Sequence, residues 1–404
     1  MPSRRRPPAA AEGRSGRRPV VIEVGLFVVL LGVPDGILGV LWPSMRRDYG
    51  RPVGDLGLLA LAGTIPYLVA SASAGPTVRR VGFGTLVVIA AAVGAAALGT
   101  WALAPAWALV VTAAAVFGLS RGAVDAGVNA YASEHEGVRR LGLLHASYGI
   151  GATAAPVLAA AVLAAGAGWR LSLGAVAVAA SGLAALGFGA RRAWTPSHQG
   201  DGGRRTRAGR QMPGLGAAGI AATLVMFGLY TAVEGSTGAW AFTISTEGRG
   251  LGRGLAGVVV ASYWGTLTVG RLLLAAVGGR VGRGRVLTAG VVLGVVGLTW
   301  FWVDPGGTGV VALPVTGLAL GPLFPVLISL VPDRVGPDRA AHVIGWCVAA
   351  AAIGGPLFTA LAGAVADAHG TTAIPALLVA GSVALLGAHA ALTLAARSIP
   401  TPPS

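Results

Sequence analysis

The sequence predicts an all-α membrane protein whose twelve transmembrane helices form two pseudo-symmetric six-helix halves. Three observations carry that expectation. Of the 404 residues 54% are hydrophobic and only 11% charged, with a mean hydropathy of +0.73, too apolar for a soluble globular chain. Twelve runs approach the roughly 20 apolar residues that cross a bilayer. Short motifs in the first six runs recur in the last six at an offset of 199 or 200.

The opening stretch 1–19, MPSRRRPPAAAEGRSGRRP, is rich in Arg, Pro, Gly and Ala. It reads as a disordered basic cytosolic tail leading into a retained helix, without the small-residue cleavage site of a signal peptide. The apolar runs then lie near 20–43, 53–75, 84–104, 106–132, 142–166, 169–190, 214–245, 254–278, 285–303, 307–331, 340–367 and 372–396. Residues 20–190 make the N-terminal half and 214–397 the C-terminal half. Between them 191–213, a Gly- and Arg-rich polar interruption, reads as a cytosolic linker, and 398–404 is a short tail.

Twelve spans put both termini on one side. If that side is the cytoplasm, 22 arginines fall in inner segments and six outside (Arg46, Arg47, Arg51, Arg170, Arg249 and Arg253). The positive-inside rule therefore predicts cytoplasmic termini and explains a sequence pI of about 11.5. The arginines collect in short loops rather than on one face of a folded domain, so no nucleic-acid partner is expected. All thirty basic residues are Arg, which excludes Walker-type phosphate loops and Schiff-base chemistry, and the single Cys347 excludes a disulfide framework or a Cys-rich metal site. Neither a metal nor a cofactor is expected.

The repeat is specific in position. Asp35-Gly36-x-x-Gly39 in the first span matches Glu234-Gly235-x-x-Gly238 in the seventh, each followed by a tryptophan, Trp42 or Trp240. Gly118-Leu119-x-x-Gly122 matches Gly317-Leu318-x-x-Gly321, Arg80-Val81-Gly82 matches Arg280-Val281-Gly282, and Pro156 matches Pro356. Four matches in register argue for a duplicated six-helix unit.

Ionisable groups inside spans are costly and mark function by default. Asp35, in the stretch VPDGILGVLW, lies about mid-membrane at about 1.5 Å rise per residue. A carboxylate there can gain and lose a proton as water access changes. Glu234, its repeat partner, approaches from the other half; for either acid the bland alternative is a helix-to-helix hydrogen bond. Arg121, Asp125 and Asn129 in the fourth span are spaced by four and share one helix face. Either Arg121 neutralises Asp125 within the helix, or Asp125 and Asn129 are polar contacts in a cavity with Arg121 tuning the aspartate. Arg271 in the eighth span reads as a structural contact on the cytoplasmic side, and His145 as a solvated or capping residue at a helix start whose titration range would also suit a relay. Trp42, Tyr148, Trp240 and Tyr263 are interfacial anchors or packing residues, or platforms on which a sugar ring stacks.

Three motifs fail on context. Gly118-Leu119-Ser120-Arg121-Gly122 fits a nucleophile elbow but lies within an apolar helix. The glycine-rich 248–257 follows a membrane helix and not a strand. Glu134-His135-Glu136 cannot converge on one helix face. No enzyme signature is left.

Together these segments resemble the major facilitator superfamily, and within it the branch of fucose-type sugar/proton symporters, over essentially the whole chain. The resemblance rests on G-x-x-D-G-x-L-G-x-x-W-P from Gly32 to Pro43, DAGVNAYAS from Asp125 to Ser133, HASYGIGATAAP from His145 to Pro156, AVEGSTGAW from Ala232 to Trp240, YWGTLTVGR from Tyr263 to Arg271, and GPLFP from Gly321 to Pro325. It implies that Asp35 and Asp125 take part in transport and protonation, with Asn129 beside them. The chain departs from the branch in having an aspartate rather than a glutamate at 125, Arg121 one turn before it, and Ala130 where a proline is usual. The family's loop after the second span also lacks its acidic residue in Gly75-Pro-Thr-Val-Arg79-Arg80-Val-Gly82.

The expectation is thus a secondary transporter of a small polar, sugar-like solute. It would be coupled to protons through Asp35, Asp125 and Glu234, with Asn129, Trp240, Tyr148, Trp42 and Tyr263 near the solute. Its partners would be the solute, protons and the lipid bilayer, and it would act as a monomer in a bacterial inner membrane. Two other readings stay open: a proton-driven exporter of drugs or metabolites, and a non-transporting scaffold or sensor.

Overall fold

The computed structural model describes residues 17–135, 137–194 and 216–397. The basic tail up to residue 16, the linker from 195 to 213 and the tail 398–404 lie outside the described residues, as does Glu136. Twelve described helices are long and apolar enough to cross a membrane: α1 (Pro19–Asp48), α2 (Asp55–Val81), α3 (Phe83–Leu103), α4 (Trp107–Ser133), α5 (Arg140–Ala164), α6 (Trp169–Ala190), α7 (Ala217–Gly248), α8 (Arg253–Ala276), α9 (Arg283–Val303), α10 (Gly309–Val335), α11 (His342–His369) and α12 (Thr371–Ala395). Large apolar side chains such as Leu103, Ile65 and Val178 stand more than 70% exposed, a surface suited to hydrocarbon and not to water. The chain is a multi-pass, all-α membrane protein.

Two of these helices are interrupted. In α1, Pro34 has no N–H, and its ring would collide with the carbonyl four residues back. The helix responds by widening into a π turn over Phe27–Gly32, with Val33 N–H bonding the Val28 carbonyl five residues earlier. Asp35 therefore comes directly after a local change of helical pitch, a feature often found at functional positions. In α10 the helix stops at Leu320 and resumes at Leu323 across Gly321-Pro322.

The duplication is visible in backbone detail. A Cβ on Gly122 of α4 would overlap the Tyr67 carbonyl of α2, and one on Gly321 of α10 would overlap the Leu267 carbonyl of α8. Gly82 and Gly282 open α3 and α9 at φ of +83° and +79°, a conformation that side-chain-bearing residues avoid. The repeated glycines are thus close-approach and turn positions, occupied alike in both halves.

Contacts divide the chain into two compact units. One holds 1–34, 65–151 and 170–203, so it contains α3, α4, α6 and parts of α1, α2 and α5; the other holds 35–64, 152–169 and 204–404. The three shared helices pass from one unit to the other beside Pro34, Pro66 and Gly151.

Within the second unit, the ends of α1, α2 and α5 farthest from the chain termini are sealed against α7, α8 and α11. A Cβ on Gly57 of α2 would overlap the Ala360 Cα of α11, and one on Gly39 of α1 would overlap the Ala239 carbonyl of α7. Such helix-to-helix approach is what small residues permit in membranes. The Asp367 carboxylate accepts from the Gly54 N–H at 3.0 and 3.1 Å, satisfying a donor just ahead of the α2 start. Arg46 donates to both oxygens of Glu247 at 2.9 and 2.8 Å, and Arg253 donates to the Leu163 carbonyl at 3.0 Å.

Leucine at Gly57 cannot fit this seal. In a Cys347→Ala background, a Thr359→Cys reporter should react several-fold faster with a membrane-impermeant maleimide when Gly57→Leu is added, because Thr359 is only 4% exposed while the seal is closed. Unchanged labelling would show that the Gly57 contact does not hold this end shut.

Candidate functional site

The second unit carries an ion pair inside the membrane spans. Glu234 of α7 and Arg271 of α8 meet at 2.7 Å, with their side chains 11% and 27% exposed. Tyr230 lies one turn before Glu234 on the same face, and its phenol donates to the Leu320 carbonyl at 3.3 Å, within electrostatic reach of the Glu234 carboxylate. Tyr263 of α8 donates to the Glu234 backbone carbonyl at 2.8 Å, fixing α7 against α8. Asp35 of α1 is close enough to act electrostatically on Glu234. The two repeat-related acids named from the sequence thus lie in one unit, within electrostatic reach of each other. Arg271, read from the sequence as a helix contact, pairs with one of them.

Burial of such a pair is costly unless its hydrogen bonds are filled, and removing one partner strands the other charge. The guanidinium is the more exposed member and carries five donors in a planar fork. It can therefore hold a carboxylate now and another acceptor later.

The first unit carries a separate polar cluster. Tyr67 of α2 donates to Asp125 Oδ2 at 2.5 Å, and Asn129 Nδ2 donates to Asp125 Oδ1 at 2.7 Å and to the Asp125 backbone carbonyl at 2.9 Å. Both carboxylate oxygens thus act as acceptors. Arg121 lies within electrostatic reach of Tyr67. The bare Cα of Gly122 lets α2 and α4 approach closely enough for these bonds, and Ser71 donates to the Gly122 carbonyl at 3.3 Å.

The remaining sequence candidates are placed as follows. Trp42 and Trp240 have no exposed surface; their indoles donate to the carbonyls of Val53 at 2.9 Å and Thr359 at 3.3 Å. Tyr263 is likewise enclosed. Tyr148 is half-buried and His145 exposed, its ring edge-on to Phe27 at 6.0 Å. Among the described residues no three His, Cys, Asp or Glu side chains converge as a metal site.

Sequence reasoning passed over three participants. Tyr67 and Tyr230 carry no charge and sit in aromatic-bearing apolar runs, so only their contacts distinguish them from packing residues. Glu23 could have been noticed as a second acid in the first apolar run. It is completely buried and takes Arg140 Nη2 at 2.7 Å, Arg140 Nε at 3.2 Å and Trp194 Nε1 at 2.8 Å. Both Arg140 donors go to Oε2 and the Trp194 indole to Oε1, so the carboxylate ties α1, α5 and the turn after α6 together near the terminal side of the spans.

Helices in two duplicated halves, with ionisable groups enclosed among the spans, define a solute transporter of the secondary type. The family model described as Major Facilitator Superfamily matches residues 24–251, more than half of the chain, and the chain belongs to that superfamily. A search of curated proteins finds no sequence match. Among solved structures, a variant of the nucleoside transporter NupG is similar at a TM-score of 0.76 and 14% identity, covering 92% of this chain and 99% of that one. The D-xylose-proton symporter gives 0.71 at 14% identity (92% and 97% covered). The transporter FucP, in its outward conformation, gives 0.61 at 17% identity (93% and 99% covered). These likenesses establish the fold.

Two substitutions test the clusters. Glu23→Gln leaves the Arg140 charge buried without its counter-ion, so thermal unfolding in detergent should reveal a loss of about 3–5 kcal/mol; joint replacement of Glu23 and Arg140 by Met should recover most of it. Tyr67→Phe removes one donor to a carboxylate, worth about 1.5–3 kcal/mol, so it should lower the unfolding temperature by several degrees and also slow transport. A Tyr67→Phe protein that transports at the wild-type rate would reduce the Tyr67 contact to packing.

Proposed function

We propose that this protein moves a small polar, sugar-like solute together with protons by alternating access between its two halves. The observation that carries the reading is the Glu234–Arg271 pair with Asp35 and Tyr230 around it. A carboxylate held by a cation deep in a membrane span can exchange its counter-charge for a proton, and Asp35 beside it offers a second proton acceptor. Within the first unit, Asp125, held by Tyr67 and Asn129, is a further proton-coupling position, and Asn129 and Tyr148 are solute contacts of that unit. Likeness to a D-xylose-proton symporter and to a nucleoside transporter agrees with a polyhydroxylated solute. In the conformation described, Trp42, Trp240 and Tyr263 serve packing.

The arginine distribution supports cytoplasmic termini, so the sealed ends of α1, α2 and α5 face outward and the state is closed to the outside. The seat is a bacterial inner membrane and the working unit a monomer.

Proton flux in proteoliposomes across a panel of sugars, polyols, nucleosides and cationic dyes tests the reading. Wild-type protein should give a solute-triggered flux that Glu234→Gln and Asp35→Asn each abolish or reduce by at least about tenfold, equivalent to 1.4 kcal/mol. Flux with dyes alone would favour an exporter. Flux surviving both substitutions would move coupling to Asp125.

A further inference from the structure

We infer that the first unit carries a seat for an anionic phospholipid on the terminal side of the spans, built from Arg79 and Arg80 at the end of α2 and Arg191 and Arg192 after α6. The seat does not depend on the coupling reading above.

The four arginines stand on one fixed ledge. Gly84, at the start of α3, comes so close to the turn after α6 that a Cβ there would overlap the Arg191 carbonyl. The Phe83 ring meets the Trp194 ring edge-on at 5.7 Å and stacks on Tyr131 at 4.2 Å. Trp194 in turn donates to the buried Glu23 carboxylate at 2.8 Å. The turn between α2 and α3 and the turn after α6 are therefore joined, and both are anchored in the interior of the unit.

The second half shows what these arginines are not needed for. At the equivalent turn Arg283 stands where the first half has Phe83; it pairs with Asp333 at 2.8 Å and donates to the Ser329 carbonyl at 2.7 Å. In the first half the fastening is aromatic instead. Among the described residues no carboxylate pairs with Arg79, Arg80, Arg191 or Arg192.

Their side chains supply the direction. Arg79 Nη1 lies 3.7 Å from the place a Cβ on Gly75 would take, so this side chain folds back one turn along α2. Arg191 folds back too: its Nη1 donates to the Phe188 carbonyl at 2.6 Å, and its guanidinium carbon lies 3.9 Å from the centre of the Phe188 ring. Phe188 is 57% exposed, and Leu186 of the same helix and Val81 of α2 are exposed as well. A guanidinium laid over a hydrocarbon-facing ring marks the depth at which acyl chains meet headgroups.

A phospholipid matches both parts of this surface. Its phosphate diester takes the planar guanidinium fork through two oxygens, and each arginine has five donors to share. Its chains cover the exposed apolar side chains. A headgroup with net negative charge is preferred to a zwitterionic one, whose own cation would face the four arginines.

The test titrates purified full-length protein in detergent with phosphatidylglycerol or phosphatidylcholine and follows thermal unfolding. Phosphatidylglycerol should raise the unfolding temperature saturably, and phosphatidylcholine much less. Arg79→Gln combined with Arg191→Gln should raise the half-saturating phosphatidylglycerol concentration by at least about tenfold. Arg280→Gln combined with Arg285→Gln removes the same charge from exposed positions of the second half and should leave that concentration unchanged. Size-exclusion profiles show that each variant is folded before it is compared. Equal weakening by the two double variants would overturn the seat, reducing the effect to general charge attraction. Equal responses to the two lipids, or a response that inorganic phosphate alone reproduces, would overturn it as well.

Discussion

The Glu234–Arg271 ion pair is the constraint around which the second unit is arranged. A charged group within a membrane span is tolerated only when another group compensates it, and here the partners come from adjacent helices at 2.7 Å. Tyr263 fixes those helices to each other through a backbone carbonyl, and Tyr230 stands within electrostatic reach of the carboxylate. The break in α10 at Gly321-Pro322 comes immediately after the carbonyl that Tyr230 reaches.

The glycines supply the mechanical side of the same account. Where two helices meet at Gly122 and at Gly321, or at Gly57 and Gly39, no side chain intervenes, and packing without a side chain can be undone without rotamer rearrangement. The polar fastenings of the sealed end include the Arg46–Glu247 pair, the Asp367 cap on Gly54 and the Arg253 bond to Leu163. Glu23 and Arg140 behave differently. Buried, and with two Arg140 donors on one Glu23 oxygen, they hold helices of the first unit in a fixed relation, which favours rigidity within the unit over movement.

Much of this is legible in the sequence. Twelve spans follow from run length, and the duplication follows from Asp35 and Glu234 standing at equivalent places, because an acid amid apolar residues is conspicuous. What the sequence hides is direction. Arg271 can be seen in a span but not paired, since helix rotation decides whether it faces α7. Tyr67 and Tyr230 are invisible because a phenol is at home among apolar residues, and only its hydroxyl's partner reveals a role. The widened turn at Phe27–Gly32 is implicit in Pro34, whose missing N–H has to be accommodated somewhere, but a proline permits a kink as readily as a π turn. Trp42 and Trp240 show the converse: their repeat-related positions reflect a shared packing role at least as much as a shared ligand.

Infrared difference spectroscopy on the full-length protein tests the central claim most directly, because a protonated carboxyl group has a carbonyl stretch distinct from that of a carboxylate. The account predicts a carboxylic-acid band that grows as pH is lowered and is missing from Glu234→Gln. An identical band in wild type and Glu234→Gln would contradict it, placing the exchangeable proton on another acid and leaving the Glu234–Arg271 pair as a fixed strut.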